Sequence, residues 1–565
     1  MKHKKSAVVF LLLAIALMIA LTLSKGDLSS VTSTDELGQR LGTITLMPTI
    51  LAIVLVFITK NILFSLLIGF ISGVIIITTS YATSIYQTVP MFLNNVVDSI
   101  KNVALDIENI EVAILCLAIG GMVEIVRSSG GFDALAQKLT VRIDTPREAG
   151  ITAGLLGLLI FFDDYANALI VGPIMKPIVD RVKVSREKLA YIVDSTCAPV
   201  AGISLVSSWI GVEISSIQTG LDAIGSNLDS FSLFINSIPY SFYCIFAISF
   251  VFIGSLLDRD FGPMLTAEKR AKALSEKTIN NNETKLAKSN LRKRIFVSVG
   301  SVLLLVTFAV IAFYVTGKNN AVLAGALNIN SSFNIENILI AISYADTINL
   351  ISLAAILSSI FALIFGLVFK LFNFKDAISS FVQGMKSIFS TILLLFFAWC
   401  LADVIYKMGT TSFAVEIISA NVPAVLVPLL IYITCCIISL TSGSFGTMFV
   451  VMPLAIPLAT RLISMGVNID ASTYLYLCIG SVIAGSIFGD HCSPVTDCTI
   501  LAATSTDCQT LDHCISQLPY ATVSLIISIV CGIILTSIGV KVQLTILIGL
   551  MVQTVVLLVI GKKPI

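Results

Sequence analysis

Residues 164–177 read Asp-Tyr-Ala-Asn-Ala-Leu-Ile-Val-Gly-Pro-Ile-Met-Lys-Pro, and residues 444–457 read Ser-Phe-Gly-Thr-Met-Phe-Val-Val-Met-Pro-Leu-Ala-Ile-Pro. The two stretches align without a gap: an aromatic (Tyr165, Phe445), a small polar residue (Asn167, Thr447) and a Pro-x-x-x-Pro pair (Pro173/Pro177, Pro453/Pro457) fall in register. A second match follows each copy, Cys197-Ala-Pro-Val200 after Asp194 and Cys492-Ser-Pro-Val495 after Asp490. Polar, helix-interrupting segments at corresponding places in two halves of an apolar chain are the pattern of a secondary transporter, whose substrate site forms where the repeats meet.

The surrounding composition sets the solvent. Of 565 residues 56% are apolar and only 12% charged, and the mean hydropathy is +0.97, too apolar for a soluble fold. An all-α polytopic membrane protein with roughly 12 spans plus 2 hairpins is expected. A net charge of +1 gives no sign of a nucleic-acid partner; the position of each charge is what orients the chain. The twelve cysteines are scattered, several of them within apolar runs (Cys116, Cys244, Cys435, Cys436, Cys531), with no spacing of a disulfide framework.

Basic residues, followed along the chain, predict two halves of opposite orientation. Residues 1–45 form a first span with its basic end in the cytoplasm and an external loop. Residues 46–257 form repeat 1. Its stretch 148–184 is flanked by Arg147 on one side and Arg181, Lys183, Arg186 and Lys188 on the other, with apolar arms too short to cross, so a re-entrant hairpin with its tip at Asp163-Asp164-Tyr165 is expected. A broken transmembrane helix (189–212) follows, then an external acidic loop holding Glu213, Asp222 and Asp229. The Lys- and Arg-rich segment 258–294 is a cytoplasmic connector. Residues 295–540 form repeat 2, upside down, with a hairpin at 425–462 and a broken helix at 474–504. A last span, 541–565, ends at Lys562-Lys563, placing both termini in the cytoplasm. These are inverted-topology repeats, the arrangement that exposes one site alternately to two sides.

Chemistry-bearing residues cluster at the tips and breaks. Asp163 and Asp164, with Asn167 nearby, supply hard oxygen ligands for Na⁺ or Li⁺ at a depth where a bare carboxylate is costly; the plainer reading is a tip solvated at the headgroups. Asp194, Ser195 and Thr196 precede Pro199, where the helix is expected to open and free its carbonyls. In the second copy the tip offers Ser442, Ser444 and Thr447, and the broken segment around Pro494 offers Asp490, His491, Ser493, Asp497 and Thr499, although carboxylates there also serve as helix caps. His491 is either a proton carrier or a hydrogen-bonded packing residue. A zinc reading of Asp490, His491, Cys492 and Cys498 lacks a usual ligand spacing, so no transition metal and no cofactor are expected.

The stretches Phe161-Phe-Asp-Asp-Tyr165, Leu189-Ala-Tyr-Ile-Val-Asp-Ser-Thr196, Phe488-Gly-Asp-His-Cys-Ser-Pro494 and Gln517-Leu-Pro-Tyr-Ala521 resemble the NhaC family of sodium/proton antiporters, over most of residues 46–540. The resemblance implies a carrier in the plasma (inner) membrane of a prokaryote that exchanges Na⁺ for H⁺ by alternating access, the two ions competing for intramembrane carboxylates. Its partners are then Na⁺ or Li⁺, H⁺ and the lipid bilayer; the oligomeric state, a homodimer included, is left open. Relatives of that group that handle carboxylates and amino acids keep a second reading in view, a cation-coupled carrier of a small organic solute. An intramembrane metal-dependent enzyme lacks an HExxH-like motif and leaves the repeat unexplained. Cys498 departs from the hydroxyl or small residue expected there.

Overall fold

The computed structural model describes residues 33–564 except 60, 83, 132–133, 135–142, 206, 274–290, most of 324–344 and 495, with a few positions between 19 and 31 besides. The expected first span (residues 8–23) lies largely outside these, as does the connector around Lys285. Among the described residues the regular elements are helical apart from one isolated β-bridge. Ten helices among the described residues are long and apolar enough to cross a membrane. Helices are the form such a chain must take, since hydrocarbon offers no partner for an unpaired N–H or C=O.

Eleven helices build and support the central site: α1 (Pro146–Leu159), α2 (Asp164–Arg181), α3 (Arg186–Ala201), α4 (Ile210–Asp222), α5 (Phe242–Leu257), α6 (Phe374–Lys407), α7 (Val427–Met465), α8 (Ala471–Cys492), α9 (Asp497–Ser505), α10 (Thr510–Ile527) and α11 (Val542–Val559). Local chemistry sets their ends. Thr145 and Glu148 close a capping box over the start of α1, with Pro146 at its first position. Asp163 caps α2 and Ser185 caps α3.

The chain turns back on itself twice. Arg181, at the end of α2, donates Nη2 to the carbonyl of Ile143 just before α1 at 2.7 Å, so the two helices start and finish together and the turn at residues 160–163 is the far point. A straight helix of the 39 residues of α7 would run about 58 Å. Its ends nonetheless lie close: Tyr474, a short connection beyond Met465, donates Oη to the carbonyl of Ala424 at 2.7 Å. The reversal is at Gly443, whose φ of 64° and ψ of −177° belong to a region open essentially to glycine alone.

Helices in a bilayer gain little from burying apolar surface against one another, so close approach must supply the attraction. Small residues provide it. A methyl group on Gly485 would come within 2.7 Å of both the Tyr432 carbonyl and the Cys435 side chain, and one on Gly480 equally close to the backbone of Tyr240. Gly489 touches the Ser439 backbone and Gly157 the Thr196 side chain more tightly still, locking α8 onto α7 and α1 onto α3.

One end of the bundle gathers basic side chains into bonds between elements. Arg294 donates to the carbonyl of Ser129 (2.7 Å) and Arg186 to that of Thr506 (2.9 Å), while Lys188 and Asp260 form a buried pair at 2.8 Å. Asp260 also exchanges both backbone hydrogen bonds with Lys562, at 3.0 and 2.9 Å, stitching the segment after α5 to the end of α11. Glu268, in the short helix Gly262–Ala273, is fully buried here and accepts from Ser185 N (2.8 Å) and Oγ (2.6 Å). At the opposite end a cavity of about 220 Å³ is lined by Asp106, Glu108, Asp222 and Asp403.

Two expectations are corrected. The helix does not open at Pro199: α3 continues through it to Ala201, and the described residues 202–205 and 207–209 are the irregular ones. Proline deletes only its own bond, to the carbonyl four residues back, and the next turn still closes, with Gly202 N donating to Ala198 O at 2.9 Å. Glu213 is not in an external loop but fully buried in α4. The break at Pro494 does fall where expected, between α8 and α9.

Candidate functional site

The turn before α2, the reversal of α7 and the break after α8 meet around one chamber of about 440 Å³. Of the residues singled out from sequence, Asp164, Ser442, Ser444, Asp490 and Asp497 line it. Asp164 and Asp497 are each the first residue of a helix, where backbone N–H groups and the helix dipole offset a negative charge. Asp490 sits near the C-terminus of α8, where the dipole has the opposite sense, and Ser444 compensates by donating Oγ to Asp490 Oδ2. Asp164 Oδ2 accepts from Cys498 Sγ at 3.3 Å, while its Oδ1 is buried without a partner. Cys498, where a hydroxyl or small residue was expected, supplies a thiol donor here.

Other expected ligands hold the walls in place. Asp163 caps α2, its Oδ1 accepting from Ala166 N at 2.6 Å. Asn167 donates Nδ2 to the carbonyls of Gly157 (2.8 Å) and Thr196 (2.7 Å), which fastens the turn to α3. Ser442 and Thr447 share a hydroxyl contact at 2.8 Å across Gly443, and Thr447 also donates to the Gly443 carbonyl. Thr499 and Thr496 donate to the carbonyl of Asp490, closing a helix end that would otherwise stand open, and Ser493 O accepts from Thr496 Oγ1 at 3.0 Å. Thr196 bonds back to Ile192 O (2.8 Å), and Ser195 is buried within α3.

Asp194 and His491 belong to a separate, fully buried knot. Asp194 Oδ2 accepts from Gln517 Nε2 at 2.7 Å and lies 3.1 Å from His513 Nε2. His491 turns Nε2 to the carbonyl of Asp194 (3.3 Å) and Nδ1 to Tyr243 Oη (2.9 Å). Because a carbonyl only accepts, Nε2 is the donor in the first contact, while Nδ1 and the tyrosine hydroxyl share one hydrogen bond.

The two aligned aromatics line the chamber as well: Tyr165 donates Oη to Asp497 Oδ2 at 3.3 Å, and Phe445 meets Trp209 with ring centroids 4.8 Å apart. Trp209, Asn61, Ser390 and Thr391 are lining residues that sequence reasoning did not single out. His513 and Gln517 carried a signal: two polar residues four apart share one face of an apolar helix.

The model of the Na⁺/H⁺ antiporter family matches residues 200–538. Over 479 residues the chain is 29% identical to an uncharacterized protein of Haemophilus influenzae, covering 84% of this chain and 87% of that one. Its fold is similar to that of the YdaH transporter of Alcanivorax borkumensis, a structure with an unusual topology (TM-score 0.53, 14% identity, 80% of this chain and 90% of that one). The structure of Neisseria gonorrhoeae MtrF, which illuminates a class of antimetabolite efflux pumps, aligns with a TM-score of 0.49 at 12% identity over 87% of this chain and 94% of that one.

Proposed function

The chain belongs to the Na⁺/H⁺ antiporter family and is a multi-pass secondary transporter, and from that premise we propose that it exchanges Na⁺ for H⁺ at the central chamber. The observation that carries the reading is the pairing of Asp164 and Asp490 on one cavity, delivered by elements from the two halves of the chain, with Asp164 Oδ1 left without a partner. A carboxylate kept from water requires a neutralising partner, and a cation and a proton are interchangeable in that role.

Exchange follows from that choice. A bound Na⁺ or Li⁺ neutralises the carboxylates together with the hydroxyls of Ser442 and Ser444; protons do so in its absence. Either neutral form allows the two repeats, read as inverted and as each carrying a re-entrant hairpin, to rock about the site. The uncompensated form stays put, because moving a bare charge through the membrane centre costs about 2.5–3.5 kcal/mol or more. In this reading the basic end, with Arg186, Lys188, Arg294 and Lys562, faces the cytoplasm, as the positive-inside rule favours.

The test is transport in everted membrane vesicles with a preformed pH gradient. Direct competition requires the apparent Na⁺ affinity to fall steeply as pH drops while the maximal rate changes much less. An affinity flat across several pH units would remove shared carboxylates from the mechanism.

A further inference from the structure

The chamber is much larger than a bare alkali ion needs. Its volume, about 440 Å³, compares with roughly 30 Å³ for one water molecule and falls within the approximate 300–1,000 Å³ range of small-molecule sites. Among the described residues no three carboxylate, thiol or imidazole groups stand close enough together to share one metal ion. The acids are instead distributed around the wall: Asp164 and Asp497 start two helices, and Asp490 sits near the end of a third.

Two further features give the wall its character. Asp164 is 4% exposed and its Oδ1 has no partner, an acceptor waiting for a donor or a positive charge. Beside the acids stand three aromatic rings, Tyr165, Trp209 and Phe445, the last two in an edge-to-face contact at 71°. No Lys or Arg is among the described lining residues. Negative groups answer a cation's charge, and π faces attract alkylated ammonium heads while also accepting their carbon surface. An inorganic ion uses only the first of these; an organic cation uses both.

We infer that the chamber also accepts a small organic ammonium ion. The charged head lies among Asp164, Asp490 and Asp497, the carbon groups rest on Trp209, Phe445 and Tyr165, and the ion exchanges against protons by the same path as Na⁺. This rests on the reading of the chamber as the exchange site.

Choline and tetramethylammonium are suitable probes, because they carry no N–H and cannot collapse a pH gradient as permeant weak bases. Each is added to everted vesicles containing the full chain, with Na⁺ added in parallel and protein-free vesicles as the blank. Dissipation of the gradient by choline, with a several-fold rise in the Na⁺ concentration giving half-maximal exchange, is the expected result. Trp209→Leu is expected to weaken choline's apparent affinity about tenfold, with Phe445→Leu as the second variant should the first not reach the membrane. A Na⁺ response without a choline response overturns the inference and leaves Na⁺/H⁺ exchange standing. A choline response without a Na⁺ response sustains the inference and overturns the Na⁺ reading. Silence to both, in vesicles shown by immunoblot to hold the protein, overturns both.

Discussion

His513 Nε2 lies 3.1 Å from Asp194 Oδ2, and both side chains are fully shielded from solvent. Gln517, one turn further along α10, donates to the same oxygen and to the carbonyl of His491 at 2.9 Å, so a single amide joins α10 to α3 and α8. Replacing it with leucine removes both donors while leaving the acceptors buried, a cost of about 1–3 kcal/mol. Gln517→Leu is therefore expected to lower the melting temperature by a few degrees in scanning fluorimetry and to reduce exchange. An unchanged melting temperature would mean that α10 is held by other contacts.

Asp163 and Asp164 are neighbours in sequence with different duties. Asparagine caps a helix as well as aspartate does, so Asp163→Asn should retain most exchange activity, whereas Asp163→Ala should cost about 0.5–2 kcal/mol of stability. Asp164→Asn keeps the shape and removes the charge facing the chamber, and should abolish Na⁺-driven proton movement with the protein still in the membrane. Normal exchange by Asp164→Asn would place the site elsewhere.

The reversal of α7 depends on one residue without a Cβ. At φ 64° and ψ −177° an alanine is strained by about 1–3 kcal/mol, and the strain falls on the turn that presents Ser444 to Asp490. Gly443→Ala should lower both the amount of folded protein and the exchange rate of what remains, read by quantitative immunoblot and vesicle assay. Full activity at normal abundance would show that the turn can adopt another conformation.

Glu268 gives a pH-dependent prediction away from the membrane core. Burial holds its carboxyl above the ordinary glutamate range, against the opposing pull of Lys188. With the folded value raised, its contribution to stability is complete below the unfolded glutamate value and is lost as pH rises through the folded one. Glu268→Gln keeps the oxygen that caps Ser185 and imitates the neutral acid. Its melting temperature should match the wild type near pH 5 and equal or exceed it at pH 8; a variant less stable at pH 8 would show that the charged form is the one the fold favours.

The membrane class and the break at Pro494 were legible because each is written in local composition: apolar length, and a proline after a polar run. That Asp164 and Asp490 would share a cavity was legible because ionisable residues are rare in such apolar surroundings. The opening near Pro199 was misplaced because proline weakens a helix without fixing where it ends, and there Gly202 and the serines after it decide. Glu213 was misread because charge alone does not reveal depth when a neighbouring helix covers it. Trp209 and Asn61 reach their places only through packing between segments far apart in sequence, which no spacing encodes, whereas the four-residue spacing of His513 and Gln517 marked a polar face without naming its partner.

The backbone pairing of Asp260 with Lys562 ties the segment after α5 to a stretch about three hundred residues further along the chain. The last helix follows the second half in sequence, yet Gln553 Nε2 donates to Phe246 O on α5 at 2.7 Å, Ser249 Oγ donates to Gln553 Oε1 at 2.7 Å, and Arg259 donates to Leu558 O at 2.8 Å. α11 is therefore riveted to the chassis formed by the end of the first half. A covalent cut between α10 and α11 would therefore leave α11 still held to α5 through these bonds.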